Sequence, residues 1–189
     1  MRIVAGRLRG RALASPKDER TRPTSDRVRE SIFNILAHGA AAVAFDGARV
    51  IDLFAGTGAL GLEAMSRGAA FALFVEEDPG ARALIRANVE AFGLTGQTRI
   101  FRRDATDLGP AAQMGHYDLA FLDPPYGKGL AERGLTALAS GGWLKPGAVC
   151  VVEERADATF AWPAGFTELD QRAYGDTAVR FGRWVGTGP

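Results

Sequence analysis

The stretch that decides the fold runs from Val50 to Gly61 and reads VIDLFAGTGALG. Its first half is a short apolar run of the kind that forms a buried parallel strand. Gly56 and Gly58 then allow a sharp turn and let a ligand approach the main chain, because neither residue carries a Cβ. The residues from Ala59 onward predict a helix, whose free N–H groups at its start favour an anionic ligand group. The stretch therefore predicts a strand, a glycine loop and a helix that together bind a ligand.

Two acidic residues near this stretch narrow the kind of ligand. The spacing of Gly56, Gly58 and Gly61 fits the dinucleotide fingerprint, although such a match also occurs in ordinary strand-to-helix turns. Asp52 lies inside the carboxyl end of the predicted strand, where a carboxylate is costly unless it has a partner. Glu76 follows a second apolar run, about 20 residues beyond Gly56, where a ribose-binding acid is expected. A nucleoside-containing ligand is therefore predicted, and its identity is left open at this point.

The rest of the chain alternates strand and helix patterns regularly, which is typical of an α/β fold with a parallel sheet. The closing part instead reads as two alternating strands, 166–174 and 178–185, around the two-residue turn Gly175-Asp176. An antiparallel C-terminal hairpin at one edge of a mostly parallel sheet is therefore predicted. We expect the preceding strands at 48–54, 71–76, 98–102, 117–122 and 148–154, and helices at 59–67, 79–92, near 106–113 and at 129–140.

Length and composition predict one globular domain with an N-terminal addition. The chain has 189 residues, of which 47% are hydrophobic. We expect residues 1–40 to form a basic arm and a helix, and residues 41–189 to form the ligand-binding domain. The single cysteine, Cys150, allows no disulfide framework, and the two histidines stand at unrelated places, so no metal site is expected. No apolar run reaches membrane-spanning length and the first residues do not read as a signal peptide, so we expect a soluble cytoplasmic protein. We also expect it to be a monomer.

Positive charge is concentrated at the start of the chain. Residues 1–30 contain nine Lys or Arg and four Asp or Glu, a net charge of +5, whereas the remaining residues carry −4. Such a segment predicts a polyanion partner, with a solvated charged terminus as the alternative. Residues 2–13 could form a small hairpin with arginines at its tip, and arginine suits phosphate because its planar fork donates two bonds at once. The candidate phosphate contacts are Arg7, Arg9, Arg11 and Arg22.

A helix is predicted to follow the basic segment. Thr24 or Ser25 can cap its start, and Gly39 is expected to end it. We expect its apolar face to pack on the body and the side chains of Arg27 and Arg29 to point elsewhere. The apolar residues, which recur at intervals of three to four, are Val28, Ile32, Phe33 and Leu36.

The segment that carries the chemistry is the end of the fourth predicted strand. There an apolar run ends in Asp123, and Pro124, Pro125 and Tyr126 follow at once. Prolines have no N–H to donate, so nearby carbonyls have no helix to join and can face a ligand. Asp123 adds a carboxylate acceptor, and Tyr126 adds a flat apolar ring. Two acceptors and a stacking ring predict a site for a planar base with an exocyclic amine, although a structural turn is the alternative.

These motifs together resemble a known group of enzymes. The stretch Asp52–Gly58, combined with Asp123–Tyr126, is similar to S-adenosylmethionine-dependent methyltransferases that act on exocyclic amines. The chain further resembles the bacterial 16S rRNA (guanine-966-N2)-methyltransferase family over nearly its whole length. The segments that carry this closer resemblance are Gly6–Arg11, Arg22–Glu30, Gly58–Ala64 and Tyr174-Gly175.

The resemblance implies a Rossmann-like methyltransferase sheet whose last strand is antiparallel, and roles for the residues already singled out. It implies that Glu76 binds the ribose of S-adenosylmethionine, and that Asp104 and Ala105 bind its adenine. Asp123 would border the methionine end and the target amine, and the four arginines of the N-terminal segment would bind RNA. The substrate implied is 16S ribosomal RNA, within the small ribosomal subunit or a late precursor. The remaining implied cofactor contacts are Asp52, Phe54, Ala55, Gly56 and Gly58.

Other functions stay open on the sequence alone. An NAD-dependent oxidoreductase could use the same glycine loop, but it would not account for the turn Asp123–Tyr126. A methyltransferase of DNA adenine or protein glutamine is a second alternative, against which the basic N-terminus favours RNA. A third is a non-catalytic RNA-binding assembly factor, against which the acids at 52, 76, 104 and 123 argue.

Overall fold

A computed structural model describes residues 1–17 and 25–187 of the chain. Within this part, seven strands and four α-helices follow one another, and two of the connections contain 3₁₀ turns, at Thr95–Gln97 and Ala112–Met114. The helices are α1 (Asp26–His38), α2 (Ala59–Ser66), α3 (Pro79–Ala91) and α4 (Leu130–Ser140). The strands are β1 (Arg49–Leu53), β2 (Phe71–Val75), β3 (Thr98–Phe101), β4 (Tyr117–Leu122), β5 (Leu144–Arg155), β6 (Phe166–Tyr174) and β7 (Thr177–Trp184).

The strands form one sheet in the order β3-β2-β1-β4-β5-β7-β6. Strands β1 to β5 pair in parallel, whereas β7 pairs antiparallel with both β5 and β6. Tyr174 pairs with Thr177, so Gly175-Asp176 is the hairpin turn. The predicted fold, a mostly parallel sheet with an antiparallel C-terminal hairpin at one edge, is confirmed.

Apolar side chains of successive strand residues point to opposite faces of the sheet, as the two-residue period of a strand requires. On β1, Val50 belongs to the core that α1, α2 and α3 cover. Ile51 and Leu53 belong to a second core, which α4 and the buried Trp143 cover. Both faces of the central strands are therefore buried, which explains why these strands read as continuous apolar runs.

The N-terminal segment folds back on itself in the small hairpin that the sequence suggested. Arg2 and Ala12 form an antiparallel bridge, and the Ile3 N–H donates to the Arg11 carbonyl. Ile3, Leu8 and Leu13 are buried in the same core as residues of α1 and α2. Apolar side chains on both sides of residue 40 thus share one core, and the domain division at that residue stays a prediction.

Helix α1 begins and ends where its capping residues predict. The Ser25 hydroxyl accepts from the Val28 N–H at 3.2 Å, and the Gly39 N–H donates to the Ile35 carbonyl at 2.7 Å. The expected orientation of Arg29 is wrong, because its side chain is fully buried. Its Nη2 lies 2.8 Å from Asp26 Oδ1, and its Nε lies 3.7 Å from Glu63 Oε2. A buried charge is costly unless it is paired, and Glu63 is fully buried.

The spacing of α1 carried a signal for this burial. Arg29 precedes Ile32, Phe33 and Leu36 by three, four and seven residues, which places all four on one helix face. The spacing alone predicts that Arg29 is buried, but its charge favours the opposite prediction, because charged residues are rarely buried unless they are paired.

Two further boundaries differ from expectation. The helix expected near 106–113 is reduced to the 3₁₀ turn Ala112–Met114, because Gly109 adopts a φ of +68° and Pro110 follows it. Strand β5 begins earlier than expected, at Leu144, and its pairing with β4 shifts register before Val149. Among the described residues, no helix is long and apolar enough to cross a bilayer.

Candidate active site

The acidic residues singled out in the sequence lie at or just beyond the carboxyl ends of four adjacent parallel strands. Leu53 pairs with both Val75 and Leu122, and Val75 pairs with Phe101. The residues that follow these strand ends are therefore brought to one edge of the sheet. The strand order reverses between β1 and β4, and ligands of open α/β sheets bind at this kind of switch point.

Asp52 is an internal support of the glycine loop. Its side chain is buried, and Oδ2 accepts from the Gly61 N–H in the first turn of α2 at 3.0 Å. Burial raises the pKa of Asp52 to about 8, which the Gly61 bond opposes and the charge of Glu76 reinforces. A Cβ on Gly61 would lie 2.5 Å from the Phe74 ring, so this glycine allows the helix to pack closely on the sheet.

Glu76 holds the glycine loop from the next strand. Its Oε2 accepts from the Gly56 N–H at 2.8 Å, and its Oε1 accepts from the Asp78 N–H at 2.9 Å. Each carboxylate oxygen has two lone pairs, so both oxygens can accept a further bond from a ligand hydroxyl. Gly56 has a φ of +58° and open space where a Cβ would project, so a ligand can come close to its backbone.

A small cavity of 40 Å³ lies between these strand ends and the loop after β3. It is lined by Phe54, Val75, Glu76, Glu77, Arg103 and Ala105, three of which are predicted cofactor contacts. A larger groove of 560 Å³ lies between α4 and residues 106–110, and none of the predicted site residues lines it. The small cavity marks the candidate site better, because Phe54, Glu76 and Ala105 line it.

Asp104, beyond the end of β3, is fixed by a local turn. Its Oδ1 accepts from the Thr106 hydroxyl at 2.7 Å and from the Thr106 N–H at 2.8 Å. These bonds hold the pKa of Asp104 below its ordinary value, so the group is a carboxylate at neutral pH. Ala105 is buried beside it.

The turn after β4 places an acid, two prolines and a ring at the same edge. Asp123 and Tyr126 are half-buried, Pro124 is buried and Pro125 is exposed. The Tyr126 hydroxyl donates to Glu153 Oε1 at 3.1 Å and lies 3.2 Å from the Thr177 hydroxyl. Burial is the main cause that raises the pKa of Tyr126, so its hydroxyl stays neutral.

Glu153 and Glu154 are site residues that the sequence reasoning missed. Both are buried near the carboxyl end of β5. Glu154 Oε1 accepts from the Gly127 N–H at 3.0 Å, so β5 holds both Tyr126 and the residue after it. Two successive acids at the end of an apolar strand were the available signal, because buried carboxylates need partners.

The basic segment is exposed, but it is attached to the body at several points. Arg7, Arg9 and Arg11 are all solvent-exposed. The Arg11 guanidinium donates to the Ala91 carbonyl and lies 4.9 Å from the centre of the Phe92 ring. Arg22 lies outside the described residues, so its predicted role stays a prediction.

The structure therefore gathers the predicted cofactor and catalytic residues at one sheet edge. No group of three or more potential metal ligands occurs within residues 1–17 and 25–187.

A solved structure with this fold, described as a putative methyltransferase yhhF from Escherichia coli, matches with a TM-score of 0.83 at 33% identity, covering 98% of both chains. The fold class is accordingly that of the Rossmann-like methyltransferases.

The chain belongs to the family described as "Conserved hypothetical protein 95", whose model matches residues 1–183. Relatives named ribosomal RNA small subunit methyltransferase D include the Escherichia coli K12 protein, 37% identical over 95% of this chain and 88% of that protein. The Haemophilus influenzae protein of that name is 34% identical over 95% of this chain and 92% of its own length. The family resemblance seen in the motifs is confirmed.

Proposed function

We propose that this protein transfers a methyl group from S-adenosylmethionine to the exocyclic N2 amine of a guanine in 16S ribosomal RNA. The observation that carries the proposal is the convergence, at one sheet edge, of Glu76, Asp104 and the turn Asp123–Tyr126 around a glycine loop. The relatives named as ribosomal RNA small subunit methyltransferases support the same substrate class.

The residues at the strand ends fit a nucleoside that carries an amino acid. Glu76 offers free lone pairs to a ribose diol, and Asp104 is a carboxylate that can accept from an adenine amine, with the Ala105 N–H as a donor. The open space at Gly56 lets the amino-acid part approach the loop backbone. Bound S-adenosylmethionine supplies a methyl group on a positively charged sulfur. Asp52 supports this loop from below, and Phe54 lines the cavity.

The turn after β4 would orient the target amine. The Asp123 carboxylate and the Pro124 carbonyl would accept its two hydrogens, and the Tyr126 ring would stack on the base. A guanine amine is a poor nucleophile because its lone pair is delocalised into the ring. Holding both hydrogens leaves that lone pair directed outward, and positioning supplies much of the rate. The Asp123 carboxylate also stabilises the positive charge that develops on the nitrogen. The methylated amine is acidic enough to lose its extra proton readily, so no strong base is required.

The exposed arginines of the N-terminal segment would bind RNA phosphates around this site. A guanine in structured RNA must be unstacked before the turn can reach it. We propose that the substrate is the small ribosomal subunit or a late precursor, and that the protein acts as a monomer in the cytoplasm.

The test is incubation of the purified protein with labelled S-adenosylmethionine and undermethylated small subunits, followed by mapping of the modified nucleotide. Label on the N2 atom of one guanine is expected. Label on another base or on protein would instead favour the other amine-methylating activities, and no label would favour the assembly factor. Calorimetry with S-adenosylhomocysteine and with NAD distinguishes a methyltransferase from an oxidoreductase, because the oxidoreductase would bind only NAD.

Variants of Asp123 test the chemical step in the same assay. Asp123→Ala should lower turnover by about a hundredfold or more while the affinity for S-adenosylhomocysteine changes little. Asp123→Asn should keep part of the activity, because its amide oxygen still accepts one hydrogen bond. If Asp123→Ala methylated small subunits at the wild-type rate, this mechanism would have to be abandoned.

A further inference from the structure

A buried amide on α3 joins the glycine loop to the N-terminal segment. Asn88 is 2% exposed. Its Nδ2 donates to the Thr57 carbonyl at 3.1 Å and to the Ala14 carbonyl at 3.3 Å, and its Oδ1 accepts from the Ala14 N–H at 2.7 Å. Both amide hydrogens and the amide oxygen are therefore used, and they are divided between two segments far apart in the chain.

One end of this link is the loop that would contact the cofactor. Thr57 lies between Gly56 and Gly58, and both glycines have positive φ angles. Glu76 holds the Gly56 N–H on one side of the loop, and Asn88 holds the Thr57 carbonyl on the other. Two side chains therefore bond directly to the backbone of Gly56 and Thr57, one at the end of β2 and one on α3.

The other end of the link is the segment that carries the exposed arginines. Ala14 directly follows the small hairpin, and Arg11 is bound to the end of the same helix α3 through the Ala91 carbonyl. The Asn88 amide is rigid and planar, so it cannot follow a displaced Thr57 without weakening its bonds to Ala14. When one ligand binds and orders its end of the link, the other end becomes more ordered too. The second ligand then loses less conformational entropy when it binds.

We propose that Asn88 is a positioning residue that couples the two binding events, so that cofactor and RNA each strengthen the binding of the other. The proposal rests on the proposed function for the identity of the two ligands. Coupling of this kind is reciprocal, and a fivefold or larger effect is typical.

Hydrogen–deuterium exchange tests the link in the wild-type protein with S-adenosylhomocysteine as the only ligand. We expect slower exchange in the glycine loop and also in peptides that contain residues 13–15. In Asn88→Ala the loop should still be protected and residues 13–15 should not. Protection of the loop alone in the wild-type protein would overturn the proposal, without bearing on the enzymatic activity.

Calorimetry then measures the coupling directly. The affinity for S-adenosylhomocysteine, measured with and without bound small subunits, should rise about fivefold in the wild-type protein and by clearly less in Asn88→Ala. Ser66→Ala is the control, because its hydroxyl bonds Ala5 and Leu8 in the same segment without contacting the loop, so the coupling should persist.

Equal coupling in wild type and Asn88→Ala would refute the role of Asn88. If Asn88→Ala does not fold, the exchange measurement on the wild-type protein is sufficient to test whether the two binding regions are coupled. A wild-type protein that binds no S-adenosylhomocysteine would instead refute the proposed function.

Discussion

At the scale of single residues, the acids of the candidate site differ in protonation because their surroundings differ. Asp52 is fully enclosed, and burial raises its pKa to about 8. Asp104 accepts two bonds from Thr106, and these hold its pKa below the ordinary value. Near neutral pH, Asp104 is therefore a carboxylate, whereas Asp52 is largely protonated. The first can accept from a ligand amine, and the second supports the loop from within.

The pH dependence of stability should report the burial of Asp52. Its folded pKa of about 8 lies above the ordinary 3.8, so the folded protein holds a proton that the unfolded chain has lost. The contribution of Asp52 to the free energy of unfolding should fall as pH rises from about 4 to about 8, by up to about 1.4 kcal/mol per pH unit. Asp52→Asn should remove this contribution.

Urea unfolding of wild type and Asp52→Asn across that pH range provides the measurement. The difference in stability should grow in favour of the variant as pH rises. The control is Asp46→Asn, which removes an acid from an exposed position. Parallel pH curves for wild type and Asp52→Asn would show that Asp52 is ionised in the folded protein.

Tyr126→Phe distinguishes the role of the Tyr126 ring from the role of its hydroxyl. The variant keeps the stacking surface but removes the donor to Glu153, which is 6% exposed. We expect a loss of about 1–2 kcal/mol in stability and a mild loss of activity. Tyr126→Ala should mainly raise the KM for RNA, because the ring is gone.

Urea unfolding and steady-state kinetics provide the two measurements for the Tyr126 variants. Tyr174→Phe, at the end of β6, serves as the matched control for loss of a tyrosine hydroxyl at the same sheet edge. An effect of Tyr126→Phe on KM as large as that of Tyr126→Ala would contradict a stacking role for the ring.

At the scale of elements, helix α2 connects the candidate site to the N-terminal segment. Its first turn supports the glycine loop through the bond from Gly61 to Asp52. Farther along, Glu63 accepts from the N–H groups of Val4 and Ala5 at 2.9 and 3.0 Å. This eight-residue helix therefore contacts the loop at its beginning and the basic segment along its length.

Two glycines of the N-terminal hairpin provide a matched test of this attachment. Gly6 and Gly10 have nearly equal φ angles, +82° and +83°, so alanine costs about 1–2 kcal/mol of backbone strain at either position. A Cβ on Gly6 would also overlap the Ser66 backbone carbonyl, whereas nothing lies within 4 Å of a Cβ on Gly10. Gly6→Ala should therefore cost about 1–3 kcal/mol more than Gly10→Ala.

Urea unfolding of the two variants measures that difference. Equal losses of stability would mean that the hairpin moves away from α2 at little cost.

At the scale of the whole molecule, the charge is divided between a basic N-terminal segment and a mildly acidic remainder. Deleting residues 1–12 would be a poor test of RNA binding, because it would remove Ile3 and Leu8 from the core and take two partners from the buried Glu63. Arg7 and Arg9 are exposed, so changing them tests the charge without removing the packing.

The variant Arg7→Ala/Arg9→Ala should bind RNA more weakly and with a shallower salt dependence. Each lost phosphate contact should reduce the slope of log K against log salt by about 0.7–0.9. Titration of small subunits at several salt concentrations measures this slope. The control is Lys145→Ala, at the start of β5 and so away from the candidate site. An unchanged slope would count against RNA contacts by these two arginines.

Most of the fold could be predicted because its signals are local. The apolar run of β1, the glycines after it and the hairpin turn Gly175-Asp176 each act over a few residues. The helix expected near 106–113 is wrong because Gly109-Pro110 interrupts it, and that signal is local as well. The convergence of Glu76, Asp104 and Asp123 was also predictable, because acids that follow parallel strands meet at one sheet edge.

What the sequence by itself determined is the order of the elements and the placement of Asp52, Glu76, Asp104 and Asp123 at the sheet edge, because hydrophobic period and turn chemistry are properties of neighbouring residues. Only the tertiary structure decided which polar groups are buried partners. The partners in these pairs are separated by 27 or more residues along the chain. The pairs are Arg29 with Glu63, Tyr126 with Glu153, and Asn88 with Thr57 and with Ala14. A buried polar group is stable only with its partner in place, and that partner is specified by how the helices and strands pack.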